Sequence, residues 1–296
     1  MAIVQPKSQG LRLLAAHAFL LALCAAVLFP FLIVISVSLR PGNFASGSLI
    51  PQAISLEHWR YVLGFAYPGP DGTMLMPDLP VLRWLGNSIK VALLSAAVTL
   101  LLSTTASYAL ARIQFKGRKH LMTALMLMQM FPAVLALVAI YAIFDRIGSA
   151  FPAIGLNTHG ALVLAYSGGI AMHVWTLKGY YDTLPGEIEE AARVDGAKPW
   201  QAFWRVLLPM ATPILVVVFM LAFIGAVIEY PVASVLLSQQ DQLTLAVGSK
   251  LFVQEHNFRW GDFAAAAILS GLPITAVFLL AQRWMISGLA AGGVKG

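Results

Sequence analysis

The side chains placed to do chemistry in this chain sit at the borders of, or inside, long apolar runs. Glu229 and Asp262 flank two such runs, and His17 and His173 lie within two others. Carboxylates and imidazoles in that setting are the groups that relay protons across a membrane. A charge at mid-bilayer costs about 2.5–3.5 kcal/mol on insertion scales and less at the edge. Glu229 and Asp262 therefore read as solvated boundary residues, with a gate or a contact to an external protein as the alternative. His17 and His173 read as packed polar side chains rather than proton carriers. Other chemistries lack their parts. No Gly-Lys dipeptide occurs, so there is no phosphate-cradling P-loop. Ser167-Gly168-Gly169 lies within an apolar run and reads as small residues for close helix packing. There is no His-Glu-x-x-His, and a single cysteine, Cys24, leaves no paired-thiolate metal site and no internal disulfide. The densest acidic group, Glu187, Glu189 and Glu190, sits in a polar loop and reads as the first turn of a helix, where carboxylates meet the positive end of the dipole.

The elements that must position these residues follow from composition. The chain has 296 residues, 59% hydrophobic and 11% charged, with a mean hydropathy of +0.80. Soluble domains carry roughly twice that charged fraction. A bilayer core about 30 Å thick needs about 20 apolar residues per helical span, and such runs occur near 13–37, 88–110, 121–144, 160–177, 207–228 and 263–284. Backbone groups in lipid must be satisfied internally, and the runs do not alternate as barrel strands do, so the spans are helices. The fold class is all-α: a polytopic membrane protein with six transmembrane helices and both termini on one side. Leu21-Ala22-Leu23-Cys24 faintly resembles a lipoprotein cleavage box, but the chain stays apolar past Cys24, so the first run reads as an uncleaved span.

Basic residues set the orientation. With the N-terminus cytoplasmic, the inner segments hold twelve of the 19 Lys and Arg, including Arg112, Lys116, Arg118 and Lys119 in one very short loop. That is the positive-inside pattern, and it accounts for the net charge of +6 without a nucleic acid. The outer segments are then 41–86, 146–159 and 231–261, with Trp59, Trp84 and Trp260 expected at the outer interface. The inner loop 178–206 is the long one. Pro185-Gly186 breaks the chain, the glutamates open a helix, Gly196 caps it, and Pro199 starts another that carries Trp200, Phe203, Trp204 and Leu207 as an aromatic stripe behind the first. Ile188, Ala191 and Ala192 share one face of the first helix, and the alanines let another surface approach closely.

One spacing in that loop is specific. Glu190-Ala191-Ala192, three residues, Gly196, nine residues, then Val206, Leu208 and Pro209 resembles the signature E-A-A, three residues, G, nine residues, I-x-L-P of inner-membrane permease subunits of binding-protein-dependent ABC importers. The likeness continues in Asn87-Ser88, in Tyr108-Ala109-Leu110-Ala111-Arg112 with Phe115 and Gly117, in Gly155-Leu156-Asn157-Thr158, and in the ending Gly288-Leu289, Gly292 and Val294-Lys295-Gly296. Among carbohydrate permeases the chain is most similar to the smaller, six-span subunit of maltose/maltodextrin importers. It departs from related permeases at Val227-Ile228-Glu229-Tyr230, where they carry Trp-Asn-Glu-Phe.

The resemblance implies a type I ABC importer permease fold in a bacterial inner membrane. It implies one transmembrane domain over 1–296, with its core at about 85–284, a cytoplasmic coupling loop at 178–206, a periplasmic loop at 41–86 and a cytoplasmic tail at 285–296. It implies that Glu190, Ala191, Ala192, Asp195 and Gly196 couple to an ATPase without catalysing anything, that Val294, Lys295 and Gly296 touch the same ATPase, and that Gln254, Glu255, His256 and Asn257 reach a solute-binding protein. The partners implied are a second permease subunit, two copies of an ATP-binding subunit, a periplasmic sugar-binding protein and the lipid bilayer. No cofactor belongs to this chain; ATP and Mg are held by the partner. The rival reading is a proton- or ion-coupled secondary carrier.

Overall fold

Among the described residues, three helices are long and apolar enough to cross a bilayer, and up to six spans result when each of three bent helix pairs counts as one. The structure, a computed structural model, describes residues 8–45, 47–69, 71–254 and 257–292. The continuous helices are α1 (Ser8–Ser38), α3 (Val81–Arg112) and α14 (Trp260–Gly292). Between α1 and α3 lies the short helix α2 (Glu57–Val62). The bent pairs are α4 (Arg118–Met130) with α5 (Leu137–Ala150), α6 (His159–Ser167) with α7 (Ala171–Thr183), and a pair that ends in α11 (Thr212–Ile228).

Each break has a residue cause. Pro132 cannot continue α4 and is followed by a 3₁₀ turn, Ala133–Ala136. Gly168 and Gly169 separate α6 from α7, which diverge by 49°. The helical stretch Pro199–Met210 meets α11 at 80°, with Ala211 fully buried at the corner and Pro213 in the first turn beyond it. Pro213 has no N–H to lose there.

The chain divides into two compact units. One comprises Met1–Leu79 with Leu251–Ile268, the other Pro80–Lys250 with Leu269–Gly296. In the second unit α3 is the central helix and packs on α6, α7 and α11. Its buried face is rich in small residues. Ala92 and Ala96 meet Phe223, Ala226 and Val227 of α11, and Ser88, Ser95, Thr99, Ser103 and Ser107 are buried with them. Lipid tails are as apolar as leucine, so close packing by small residues and interhelical hydrogen bonds replaces the hydrophobic drive. Ser107 Oγ donates to Val174 O of α7 at 3.0 Å.

The segments expected as loops are structured. In the first unit, β1 (Tyr67–Pro68) pairs antiparallel with β2 (Met74–Leu75), and β3 (Val253–Gln254) pairs antiparallel with β4 (Asn257–Phe258). Among the described residues these two-residue strands are small additions to a mostly helical chain, in line with the all-α expectation. In the second unit, α12 (Pro231–Leu236) and α13 (Leu245–Gly248) fill the stretch after α11. Trp84 is not an interface anchor: it is fully buried, its Nε1 donates to Gln240 O at 2.6 Å, and its ring lies over Gly248, where an added Cβ would come within 2.3 Å. A glycine opposite a tryptophan on a packed helix makes room that sequence alone does not reveal. Asn87 and Ser88, at the start of the expected second span, bind the same stretch through Leu243 O at 2.9 Å and Leu245 N at 2.8 Å.

Candidate functional site: the helix that carries the signature

Residues Gly186–Val194 form α8. Pro185 precedes it with extended backbone, and Glu187 and Glu189 stand in its first turn. Its C-terminus is a Schellman cap: Gly196 N–H donates to Arg193 O at 3.0 Å and Ala197 N–H to Ala192 O at 2.9 Å, with Gly196 at φ +87°. That left-handed conformation is why glycine stands there. Lys198 then enters α9 (Pro199–Ala202), a π-helical turn follows at Phe203–Leu207, and α10 (Leu208–Met210) completes the stretch.

The faces of α8 are now explicit. Glu187, Glu190, Ala191, Val194, Asp195 and Gly196 are exposed, Val194 at 88%, while Ala192 is half-buried. The expected face of Ile188, Ala191 and Ala192 therefore lies at the edge of the contact, with Ala192 turned partly inward. The aromatic stripe divides. Phe203 and Leu207 are buried, whereas Trp200 and Trp204 are exposed. Residues four apart share a helix face, so the two pairs point in different directions. Phe203 packs on Tyr108 of α3 with ring centroids 4.6 Å apart, in a cluster with Leu177, Tyr181, Leu207 and Val218.

Glu189, adjacent to the signature, is the buried carboxylate of this helix at 5% exposure. It accepts from Arg112 Nε at 2.7 Å, and Arg112 Nη2 also donates to Leu184 O at 2.9 Å. In the sequence Glu189 reads as one of three dipole-facing acids and Arg112 as a topology charge. The signal that could have paired them is that Arg112 ends an apolar helix while Glu189 falls on the inward side of α8.

The other expected site residues separate. Gln254 and Asn257 come together as cross-strand partners of β3 and β4. Glu255, His256, Val294, Lys295 and Gly296 lie outside the described residues. Asp262 is not a solvated boundary residue: it is 3% exposed, its Oδ1 lies 2.7 Å from His58 Nδ1, and its Oδ2 accepts from Arg259 Nε at 2.8 Å. A buried carboxylate keeps its charge only with such partners. Arg259 also donates to Asp78 Oδ1 at 3.1 Å and lies over the Tyr61 ring at 4.2 Å, and Tyr61 donates its hydroxyl to Asp78.

These groups shift one another. Burial drives the His58 imidazole down, but the hydrogen bond and charge of Asp262, with Glu57 and Gly42 O, outweigh it and hold the pKa above its ordinary value. Burial pushes the Asp78 carboxyl up, and the Tyr61 and Arg259 hydrogen bonds reverse that to a net lowering. The cluster borders a cavity of about 470 Å³ lined in part by Glu57, His58, Tyr67 and Arg259. Sequence reading missed His58, Asp78 and Arg259 because their partners are up to 204 residues away. Glu229 is half-buried and capped: it accepts from Tyr166 Oη at 2.7 Å and from the backbone N–H of Val232 and Ala233 at the start of α12. His17 is exposed on α1 and its Nδ1 lies 2.7 Å from Leu13 O, so it is not packed.

Comparison with known proteins agrees with this architecture. The family described as binding-protein-dependent transport system inner membrane component matches residues 103–290. The maltose/maltodextrin transport system permease protein MalG of Photorhabdus laumondii is 58% identical over 296 residues, covering 100% of both chains. The protein of that name from Salmonella typhimurium is 59% identical and that from Escherichia coli K12 57%, again over the whole of both chains. Among solved structures, a bacterial ABC transporter involved in import of the acidic polysaccharide alginate superposes with a TM-score of 0.76 at 20% identity, over 95% of this chain and 99% of that one, which speaks to the fold. With the signature on a capped helix between membrane-length helices and a match over residues 103–290, the chain belongs to the family of binding-protein-dependent transport system inner membrane components.

Proposed function

We propose that this chain is the permease subunit of a maltose/maltodextrin ABC importer, forming half of a translocation path and coupling to an ATPase through α8. The observation that carries the substrate is identity of 57–59% over the full length of relatives bearing that name. The observation that supports the coupling role is the exposed face of α8, rigidly capped at Gly196.

In this reading both termini are cytoplasmic, and a second permease subunit completes the path. Two ATP-binding subunits each receive one inner loop helix, and a periplasmic sugar-binding protein docks on the outer segments around Gln254 and Asn257. ATP and its Mg²⁺ are bound by the partner; this chain supplies the lever. ATP acts by binding one state of the assembly better than the other, since a ligand moves an equilibrium only by its differential affinity. Closure of the ATPase pair displaces α8, and the membrane helices follow. A helix closed by two cap hydrogen bonds carries such a displacement, where a floppy loop would absorb it.

The test is purification of the tagged chain from its native membrane in mild detergent, with identification of what accompanies it and an assay of sugar-stimulated ATP hydrolysis. A second permease and an ATPase, with hydrolysis stimulated by maltodextrin plus binding protein, is the expected result. Transport by this chain alone, driven by a pH gradient without ATP, would overturn it.

A further inference from the structure

We propose that Arg112 is a positioning residue, a strut that makes the membrane helices follow α8. The inference rests on the reading of α8 as the coupling helix. Arg112 is the last residue of α3. Its Nε holds Glu189 in the first turn of α8 at 2.7 Å, and its Nη2 holds Leu184 O, the C-cap of α7, at 2.9 Å. One guanidinium thus joins the ends of two membrane helices to the helix between them.

Three features make the joint stiff. The guanidinium is planar and its donors are fixed relative to one another, so it cannot follow one acceptor without leaving the other. The side chains are 18% and 6% exposed, which limits screening by solvent and salt. Beneath the pair, Tyr108, one turn before Arg112, packs on Phe203 just after α9, and both share a cluster with Leu177 and Tyr181 of α7.

The covalent route is soft by comparison. On one side α8 joins α7 through Leu184 and Pro185, both extended, with ψ of 133° and 124°. On the other side the two cap hydrogen bonds hold the chain as far as Ala197, and it then turns through an extended Lys198. Extended joints of this kind bend more readily than a hydrogen-bonded helix. The Arg112 fork bypasses the first of them and ties α8 directly to α3, which packs on α7 and α11.

The rival account of Arg112 is a topology charge, for which any cation suffices. Lysine separates the two, because an ammonium is a point charge without the planar fork. The experiment uses the full-length chain in its complex with the second permease, the ATPase and the binding protein, reconstituted in liposomes. Arg112→Gln, Arg112→Lys and the near-isosteric Glu189→Gln are compared for ATPase retained, sugar moved and ATP hydrolysed. The second readout is the spin-label distance distribution between Val194→Cys on α8 and Thr105→Cys on α3, both exposed positions, in a Cys24→Ser background. All three variants are expected to keep the ATPase bound, to hydrolyse severalfold more ATP per sugar moved, and to broaden the distance distribution. Wild-type stoichiometry, an unbroadened distribution, or Arg112→Lys behaving as wild type would each overturn the strut. If the wild-type complex contains no ATPase, the proposed function falls, and the strut is decided by the distance distribution alone.

Discussion

Gly196 offers the sharpest test of whether glycine stands in the signature for its backbone or for the space it leaves. It sits at φ +87°, and a Cβ built on it meets nothing within 4 Å. Within this chain the cost of a side chain is therefore conformational. A left-handed backbone costs an L-residue about 1–2 kcal/mol, and asparagine is several-fold enriched there because its short polar side chain bonds locally. Losing that energy at the cap weakens the bonds from Gly196 N–H to Arg193 O and from Ala197 N–H to Ala192 O. An energy of 1–2 kcal/mol is a factor of roughly 5–30 in the population of the capped helix. The assay is sugar-stimulated ATP hydrolysis and transport in proteoliposomes for Gly196→Asn, Gly196→Ala and Gly196→Val, with membrane insertion scored separately. Backbone control predicts the order Gly, Asn, Ala, Val, with insertion unchanged throughout. Were the glycine there to admit a close partner surface, loss would follow side-chain volume, and Asn would be worse than Ala. That inversion, or wild-type activity in Gly196→Val, refutes the argument.

Three further outcomes are expected. Gly248→Ala drives a methyl to 2.3 Å from the Trp84 ring, which its Nε1 bond to Gln240 O holds in place; overpacking of this kind costs about 1–3 kcal/mol, read as a lower unfolding temperature in detergent, and an unchanged melt would show that the ring can yield. His58 has a raised pKa, so its protonated contribution to folding is complete below the unfolded value of 6.5 and is lost as pH rises through the folded one. Proteolysis of the 41–79 segment should accelerate as pH rises past that point in the wild type and lose this dependence in His58→Gln; a pH-independent wild type would contradict it. Glu229→Ala removes the acceptor of Tyr166 Oη and of two N–H groups at the start of α12, and faster amide exchange confined to 230–237 is expected, whereas exchange unchanged there would deny the cap.

Much of the inner loop was legible because its signals are local. Pro185, Gly196 and Pro199 act on their own backbone, and helix boundaries at 186–194 follow from them. Long apolar runs marked the spans for the same reason: solvation is a property of each segment. The breaks at Pro132, at Gly168-Gly169 and near Pro213 have residue causes, yet each run reads in the sequence as a single span, and the 49° and 80° angles follow only from packing.

Composition and interactions within a few residues set the class of molecule, its membrane-length helices and the capped helix of its signature. Tertiary structure alone decided which polar groups meet. It buried Asp262 against His58, turned Trp84 from an interface anchor into a core residue over Gly248, divided the Trp200–Leu207 stripe between two faces, and set Glu189 on Arg112, 77 residues away. The reason is that a buried charge is tolerable only beside its partner, and which residue becomes that partner depends on how separate helices pack.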